Sequence, residues 1–230
     1  MGWILPPGAS TFAKDIDFLY YLILAITGVA FLVVEAGMVW FIIKYRARPG
    51  RRATYTHGSL KAEAVWTAIP AVTVIALGIL SGGVWNHIKG RHSVPADAIP
   101  YRVTVRQFEW NITHPGPDGV LDTPDDFTLR NQMHIPANHP VVAQLVSEDV
   151  IHSFFIPAFR IKQDAVPGMH IQVWFEATRP GAYELGCAEL CGLGHNRMRA
   201  EVTVHDPNEF REWTINQAAL KSAASGEVRQ

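Results

Sequence analysis

Cysteine is nearly absent from this chain, with two among 230 residues. No Cys-x-x-Cys-His run occurs, so the chain carries no attachment motif for a c-type haem. Charge imbalance is also missing. Twenty Lys and Arg stand against 21 Asp and Glu, a net charge of −1, which gives no case for nucleic-acid binding. There is no internal repeat and no long low-complexity tract. The opening Met-Gly-Trp-Ile-Leu-Pro-Pro-Gly lacks the basic segment of a signal peptide, so the first apolar helix is expected to direct insertion itself.

Charge is scarcest in two long stretches. Residues 18–43 are apolar apart from Glu35, and residues 64–88 hold no Asp, Glu, Lys or Arg. At about 1.5 Å rise per residue, each exceeds the roughly 30 Å hydrocarbon layer, with room for tilt. Both are therefore transmembrane helix candidates, spanning about 17–45 and 62–89. Pro70 would kink the second or mark its first turns. Lys44, Arg46, Arg48, Arg51, Arg52 and Lys61 lie between them with no acid before Glu63. Such a loop belongs on the cytoplasmic side, which places the N-terminus and everything after the second helix outside. Trp40, Tyr45 and Trp85 sit near helix ends, as interfacial anchors do.

From Tyr101 the pattern changes. Short β-rich runs (Tyr101–Phe108, Val141–Val146, Ile171–Phe175, Arg199–Val204) alternate with Pro, Gly, Asn and Asp, the pattern of an all-β sandwich or barrel. Pro207 opens a terminal helix expected to reach Leu220, followed by a mobile Ser-Ala-Ala-Ser-Gly tail. The expected organisation is a membrane-anchoring two-helix hairpin over 1–92, an extracytoplasmic β-domain over 93–206, and a helix and tail over 207–230.

Both cysteines fall in one segment, Gly186-Cys-Ala-Glu-Leu-Cys-Gly-Leu-Gly-His-Asn-Arg-Met198. Cys187, Cys191, His195 and Met198 put two thiols, an imidazole and a thioether within twelve positions. Thiolate and thioether select soft copper, and imidazole suits it. A mononuclear blue-copper loop needs one Cys, so the second points to a pair of coppers bridged by two thiolates. A further histidine, His152, lies in the strand-like Val-Ile-His-Ser-Phe-Phe-Ile-Pro, and the Glu189 backbone carbonyl stands between the cysteines. Leu190, Leu193, Phe154 and Phe155 are expected to keep water away. Two other readings stay open: a Cys-x-x-x-Cys disulfide, and a zinc site, which would have no use for Met198.

These motifs resemble subunit II of the cytochrome c oxidases, in the haem–copper oxidase superfamily. Residues 187–198 resemble that family's dinuclear copper A signature. His152-Ser-Phe-Phe-Ile-Pro157 is similar to its first-histidine motif, and Asp164-Ala-Val-Pro-Gly168 to a further family segment. The resemblance runs from about residue 12 to 215. It implies a cupredoxin-like Greek-key sandwich behind a transmembrane helical hairpin. It also implies copper A held by His152, Cys187, Glu189 through its carbonyl, Cys191, His195 and Met198. The Glu189 carboxylate would share a magnesium ion with subunit I. Glu63, in Glu-x-Val-Trp-Thr-x-Ile-Pro, would stand at the entrance of a proton channel of subunit I; an acid favouring a helix N-terminus is the plainer alternative. Glu35 would contact subunit I.

Two segments depart from the family pattern. In Arg106-Gln-Phe108-Glu-Trp110, Phe108 occupies the position of the tryptophan at which cytochrome c delivers electrons, and Glu109 replaces an aromatic residue. Phe108 and Trp110 are the candidate electron-entry residues, or else core residues on one face. Asp118, Asp122, Asp125 and Asp126 cluster within nine residues around Gly119. They form a Ca²⁺ loop, a docking patch for a basic donor, or a solvated loop. The implied function is electron entry to a respiratory oxidase. Single electrons would arrive from cytochrome c or another small redox donor and pass to haem in subunit I, with oxygen reduction coupled to proton pumping. Subunit I, subunit III and the lipid bilayer would be the partners, in a bacterial inner membrane with the β-domain periplasmic. The chain itself would be an electron carrier that binds no haem. A copper A subunit of a nitric oxide reductase is the alternative within the superfamily. A disulfide-stapled, membrane-anchored binding module is the alternative of another class. The two-helix anchor argues against nitrous oxide reductase, and the two cysteines against a quinol oxidase subunit II.

Overall fold

A computed structural model describes residues 5–90 and 93–227. Residues 1–4, Arg91, His92 and the last three residues of the tail lie outside the described residues. The described chain divides into two compact units: residues 15–90, and residues 5–14 together with 93–227.

The first unit is built on two helices, α1 (Ala13–Tyr45) and α2 (Leu60–Lys89). They begin a few residues before the apolar runs because polar residues start them. Asp15 lies in the first turn of α1, where an acid suits the helix dipole. The Ser59 side chain accepts from the Ala62 amide and caps α2. Pro70 therefore lies inside α2, more than two turns from its start, rather than marking its beginning. Thr27 and Thr73 turn their hydroxyls onto the carbonyls of Ile23 and Ile69, so neither leaves a polar group facing hydrocarbon. Large apolar side chains on both helices are exposed, among them Leu32, Val33, Ile75 and Ile79. Both helices are long and apolar enough to cross a membrane. A protein surface this apolar needs lipid or another chain against it.

The second unit is a β-sandwich. Its strands are β1 (Ile99–Arg106), β2 (Glu109–His114), β3 (Phe127–Arg130), β4 (Gln132–Pro136), β5 (Pro140–Ser147), β6 (His152–Ile156), β7 (Ile161–Ala165), β8 (Ile171–Glu176), β9 (Gly181–Cys187) and β10 (Arg199–His205). They form two five-stranded sheets, in the orders β3-β2-β1-β5-β8 and β4-β10-β9-β6-β7. Most pairs are antiparallel, but β1 pairs with β5 and β4 with β10 in parallel. Parallel neighbours require the chain to cross between sheets, which gives this sandwich its cupredoxin-like, Greek-key character. Alternate residues enter the core: Tyr101, Val103 and Val105 from β1, Met133 and Ile135 from β4, Val202 and Val204 from β10, all buried.

The start of the chain joins this unit. The Ala9 amide donates to the Ala158 carbonyl at 2.7 Å, the Thr178 amide donates to the Ala9 carbonyl, and Ser10 bridges to Ala177. The Phe12 ring meets Trp174 edge-on at 4.6 Å. Residues 5–14 therefore go with the β-unit, whereas the expected boundary assigned everything before residue 93 to the hairpin. The reason is pairing between distant segments, which leaves no local periodicity. A terminal helix, α3 (Pro207–Glu227), follows β10 and extends past Leu220. The segment expected as a mobile tail is helical, since Ser222 bonds back to Ala218 and alanine favours helix.

Candidate metal centre

The β9–β10 connection and the start of β6 build the site. Cys187 is the last residue of β9, and Met198 immediately precedes β10. The Cys187 amide donates to the Met198 carbonyl at 3.2 Å, closing the loop between them. β6 pairs with β9, placing Phe154 opposite Cys187 and His152 next to the loop. The Ala188 amide donates to the Ser153 carbonyl at 3.1 Å, fastening the loop to β6. His195 lies on a short 3-10 turn that folds its side chain back toward Cys191.

The ligand atoms converge. The Cys187 Sγ lies 3.9 Å from His152 Nδ1, 3.2 Å from the Glu189 carbonyl oxygen and 3.9 Å from Cys191 Sγ. The Cys191 Sγ lies 3.6 Å from His195 Nδ1 and 3.7 Å from Met198 Sδ. Each thiol thus has its own imidazole and its own weaker donor. The sulfurs are about twice as far apart as a disulfide requires, and both cysteines are free. The site is graded in depth: His152, Cys191 and Met198 are buried, Cys187 and His195 half-buried, and Glu189 exposed. Burial, with the Cys187 thiol beside it, pushes the Cys191 thiol up to about 11.

Around the ligands lies a set of supporting groups. His152 Nε2 donates to Asp149 Oδ1 at 2.8 Å, which leaves Nδ1 turned toward the sulfur. Asp149 sits below the usual carboxylate range: burial raises it, and hydrogen bonds from the Gln107 amide, His152 and the Val150 amide outweigh that. Trp110 is fully buried, its ring 6.4 Å from that of His152, and its Nε1 is the one buried side-chain nitrogen or oxygen without a partner among the described residues. Phe108 is partly exposed and lies against the loop. A Cβ on Gly194 would come within 2.5 Å of its ring. Trp110 is thus buried in the core, whereas Phe108 is an exposed contact of the loop. Leu190 and Leu193 do not shield the sulfurs, being 79% and 102% exposed. They extend outward from the loop because its backbone turns its ligands inward. Phe154 alone of the four expected shields is fully buried.

Residues 122–205 match the family "Cytochrome C oxidase subunit II, periplasmic domain", and residues 1–83 match "Cytochrome C oxidase subunit II, transmembrane domain". The chain is 34% identical to cytochrome c oxidase subunit 2 of Thermostichus vulcanus, over 96% of this chain and 80% of that one. The chain belongs to the cytochrome c oxidase subunit II family. It is also 32% identical to the alternative cytochrome c oxidase subunit 2 of Bradyrhizobium diazoefficiens, over 84% of this chain and 76% of that one. The periplasmic domain of subunit II of cytochrome oxidase from Bradyrhizobium japonicum, a solved structure, superposes with a TM-score of 0.49 at 29% identity, over 56% of this chain and 98% of that one.

Membership in the subunit II family makes this a membrane-anchored chain with two spans and a copper A-type domain. His152, Cys187 and Cys191 form the one metal-competent group of three such side chains among the described residues. The donor set fits copper: two soft thiols, two imidazoles and a thioether.

The other candidate residues lie on other elements of the chain. Glu63 is exposed in the first turn of α2, and Glu35 is half-buried on α1. The four loop aspartates do not meet at one point. Asp122 makes a bidentate pair with Arg102 at 2.9 and 3.0 Å. Asp118 accepts from the Val120 amide, Asp125 from the Thr123 hydroxyl, and Asp126 from the Asp122 amide. Lys221 of α3 donates to the Pro124 carbonyl at 2.8 Å and also to that of Asp126.

A histidine cluster went unseen in the sequence. The His134 amide donates to His114 Nε2 at 3.0 Å, and His114 Nδ1 faces the Ile112 carbonyl at 3.1 Å. His134 Nδ1 lies 2.8 Å from His205 Nε2, and Trp213 of α3 stacks on His134 at 4.1 Å. Burial lowers His114 to about 3 and His134 to about 4, and it lowers His205 as well. The alternating register of β4 and β10 brings these rings together; in the chain they are 20 and 71 residues apart.

Proposed function

We propose that the chain is the electron-accepting subunit of a respiratory cytochrome c oxidase, taking single electrons at a dinuclear copper A centre. The observation that supports this most is the doubled ligand set: two thiols at 3.9 Å, each with its own imidazole and its own weak donor. When bound, two copper ions would supply a one-electron couple whose added charge is spread over both metals and both sulfurs.

The protein's part is to hold still and to keep water out. His152 is fixed by Asp149, and the loop by its bonds to Ser153 and across Cys187–Met198. Buried Phe154, Trp110 and Met198 make the floor apolar, which tunes the potential. Leu190, Leu193 and Phe108 form an exposed apolar rim suited to contact with another protein. Electrons would enter across the Phe108 side from cytochrome c or another small donor and leave to haem in subunit I, where oxygen is reduced and protons are pumped. The Glu189 carbonyl faces Cys187 while its side chain is exposed, so the carboxylate would be free to share magnesium with subunit I. Glu63 would serve the proton-channel entrance. The acidic loop, with four aspartates within nine residues, would face a basic donor. The basic segment between α1 and α2 would lie in the cytoplasm and the β-unit in the periplasm of a bacterium.

The test uses the purified membrane complex. Reduction of haem by reduced cytochrome c is followed in rapid mixing, for the parent and for Cys191→Ser. The variant is expected to lose copper and to lose fast haem reduction. Haem reduction at the parental rate in a copper-free variant would contradict the proposal.

A further inference from the structure

The turn between β1 and β2 reaches both the ligand loop and the Asp149 that holds His152, and one residue makes both connections. The main-chain amide of Gln107 donates to Asp149 Oδ2 at 2.7 Å, while Asp149 Oδ1 accepts from His152 Nε2 at 2.8 Å. The side-chain amide of Gln107 donates to the carbonyl of Cys191. The first connection runs to the His152–Cys187 half of the site and the second to the Cys191–His195 half. Neither is local: Gln107 is 42 residues from Asp149 and 84 from Cys191.

The loop is shaped to receive this turn. Gly192 has φ +131, and a Cβ there would lie 2.7 Å from Gln107 Nε2 and 3.2 Å from the Phe108 ring. Only glycine permits that backbone and that approach. Asp149 is further held by the Val150 amide at 2.6 Å, so the carboxylate cannot swing to follow a moving imidazole.

We propose that Gln107 is a positioning residue for the metal centre, its two amides holding the two ligand halves at a fixed separation. The inference rests on the copper reading above. Among the described residues Gln107 hydrogen-bonds to no ligand side chain; it acts through Asp149 on His152, and through the Cys191 peptide on that residue's sulfur. A bridged pair of metals needs both halves in register, so a residue bonded to both sets their distance in a way that neither half can set alone. The side-chain amide is the removable part, because substitution leaves the main-chain bond to Asp149 in place.

The test uses the full chain in detergent, loaded with copper alone. Gln107→Glu keeps the shape but places an acceptor against the Cys191 carbonyl, and Gln107→Ala removes the donor; the alanine variant carries the test if the glutamate variant does not fold. Copper affinity is measured by competition with a chelator, and the site by electron paramagnetic resonance and redox titration. Loss of such a supporting partner is expected to weaken copper at least about tenfold, with altered hyperfine splitting and a shifted potential. A role in folding alone would lower stability and leave spectrum and potential unchanged. Folded variants that match the parent in affinity, spectrum and potential overturn the inference and leave the copper reading intact. A parent chain that takes up no copper removes the copper reading, and the inference falls with it.

Discussion

The sulfurs of Cys191 and Met198 lie 3.7 Å apart, and both side chains are buried. Replacing the Met198 thioether removes one soft, weak donor and little volume. Met198→Leu should therefore keep the fold, at a cost below about 1.5 kcal/mol, and keep most of its copper while the reduction potential moves. Redox titration with metal analysis checks this. Complete copper loss in a folded variant would show Met198 to be a strong ligand.

Phe108 and Gly194 form a tighter contact. The ring lies where a Gly194 Cβ would be, at 2.5 Å, while the Gly194 backbone is one that any residue adopts. Gly194→Ala should cost about 1–3 kcal/mol from overpacking. Phe108→Ala in the same chain should relieve most of it. Denaturant midpoints of the two single variants and the double variant check this cycle. Additive costs would mean that the ring moves aside freely.

Much of this candidate site was legible because four of its candidate ligands fall within one loop of twelve residues, where composition and spacing point to copper. The two helices were legible because membrane thickness sets their length. What stayed hidden depends on sheet register. Gln107 reaches Asp149 and Cys191 only because β1 and β2 turn beside the β9–β10 loop. Asp149 could have been found, since it stands three residues before His152 and an acid so near a ligand imidazole is a natural partner. Residues 5–14 read as a lead-in to the first helix, because nothing in their composition reveals pairing with Ala158 and Glu176.

The histidine cluster makes stability depend on pH. His114 accepts from the His134 amide at Nε2, so a proton there would oppose a donor already present. Folded-state values of about 3 for His114 and about 4 for His134 lie below the ordinary 6.5. Between these limits the unfolded chain binds more protons than the folded one. Stability should therefore be full above about pH 6.5 and fall as the pH drops toward 4. Urea midpoints of the full chain at pH 7 and pH 5.5 check the sign, and His114→Gln should flatten the slope. An unchanged slope in that variant would place the titration elsewhere.

Trp213 ties α3 to this cluster, stacking on His134 at 4.1 Å and meeting Phe127 at 5.4 Å. Trp213→Ala should cost about 3 kcal/mol, the lower end for such truncations because the ring is half-buried. Hydrogen exchange should quicken along residues 207–223 and remain slow in β1 and β5. Equal acceleration throughout would mean that α3 and the sandwich unfold as one.

Counting metal in the intact chain tests the central claim most directly. Copper is measured per chain after loading and exhaustive dialysis, together with near-infrared absorption and thiol titration. The account predicts two coppers per chain, the near-infrared band of a mixed-valence pair, and no thiol free to react. One copper or none, with Cys187 and Cys191 recovered as a disulfide, would contradict it.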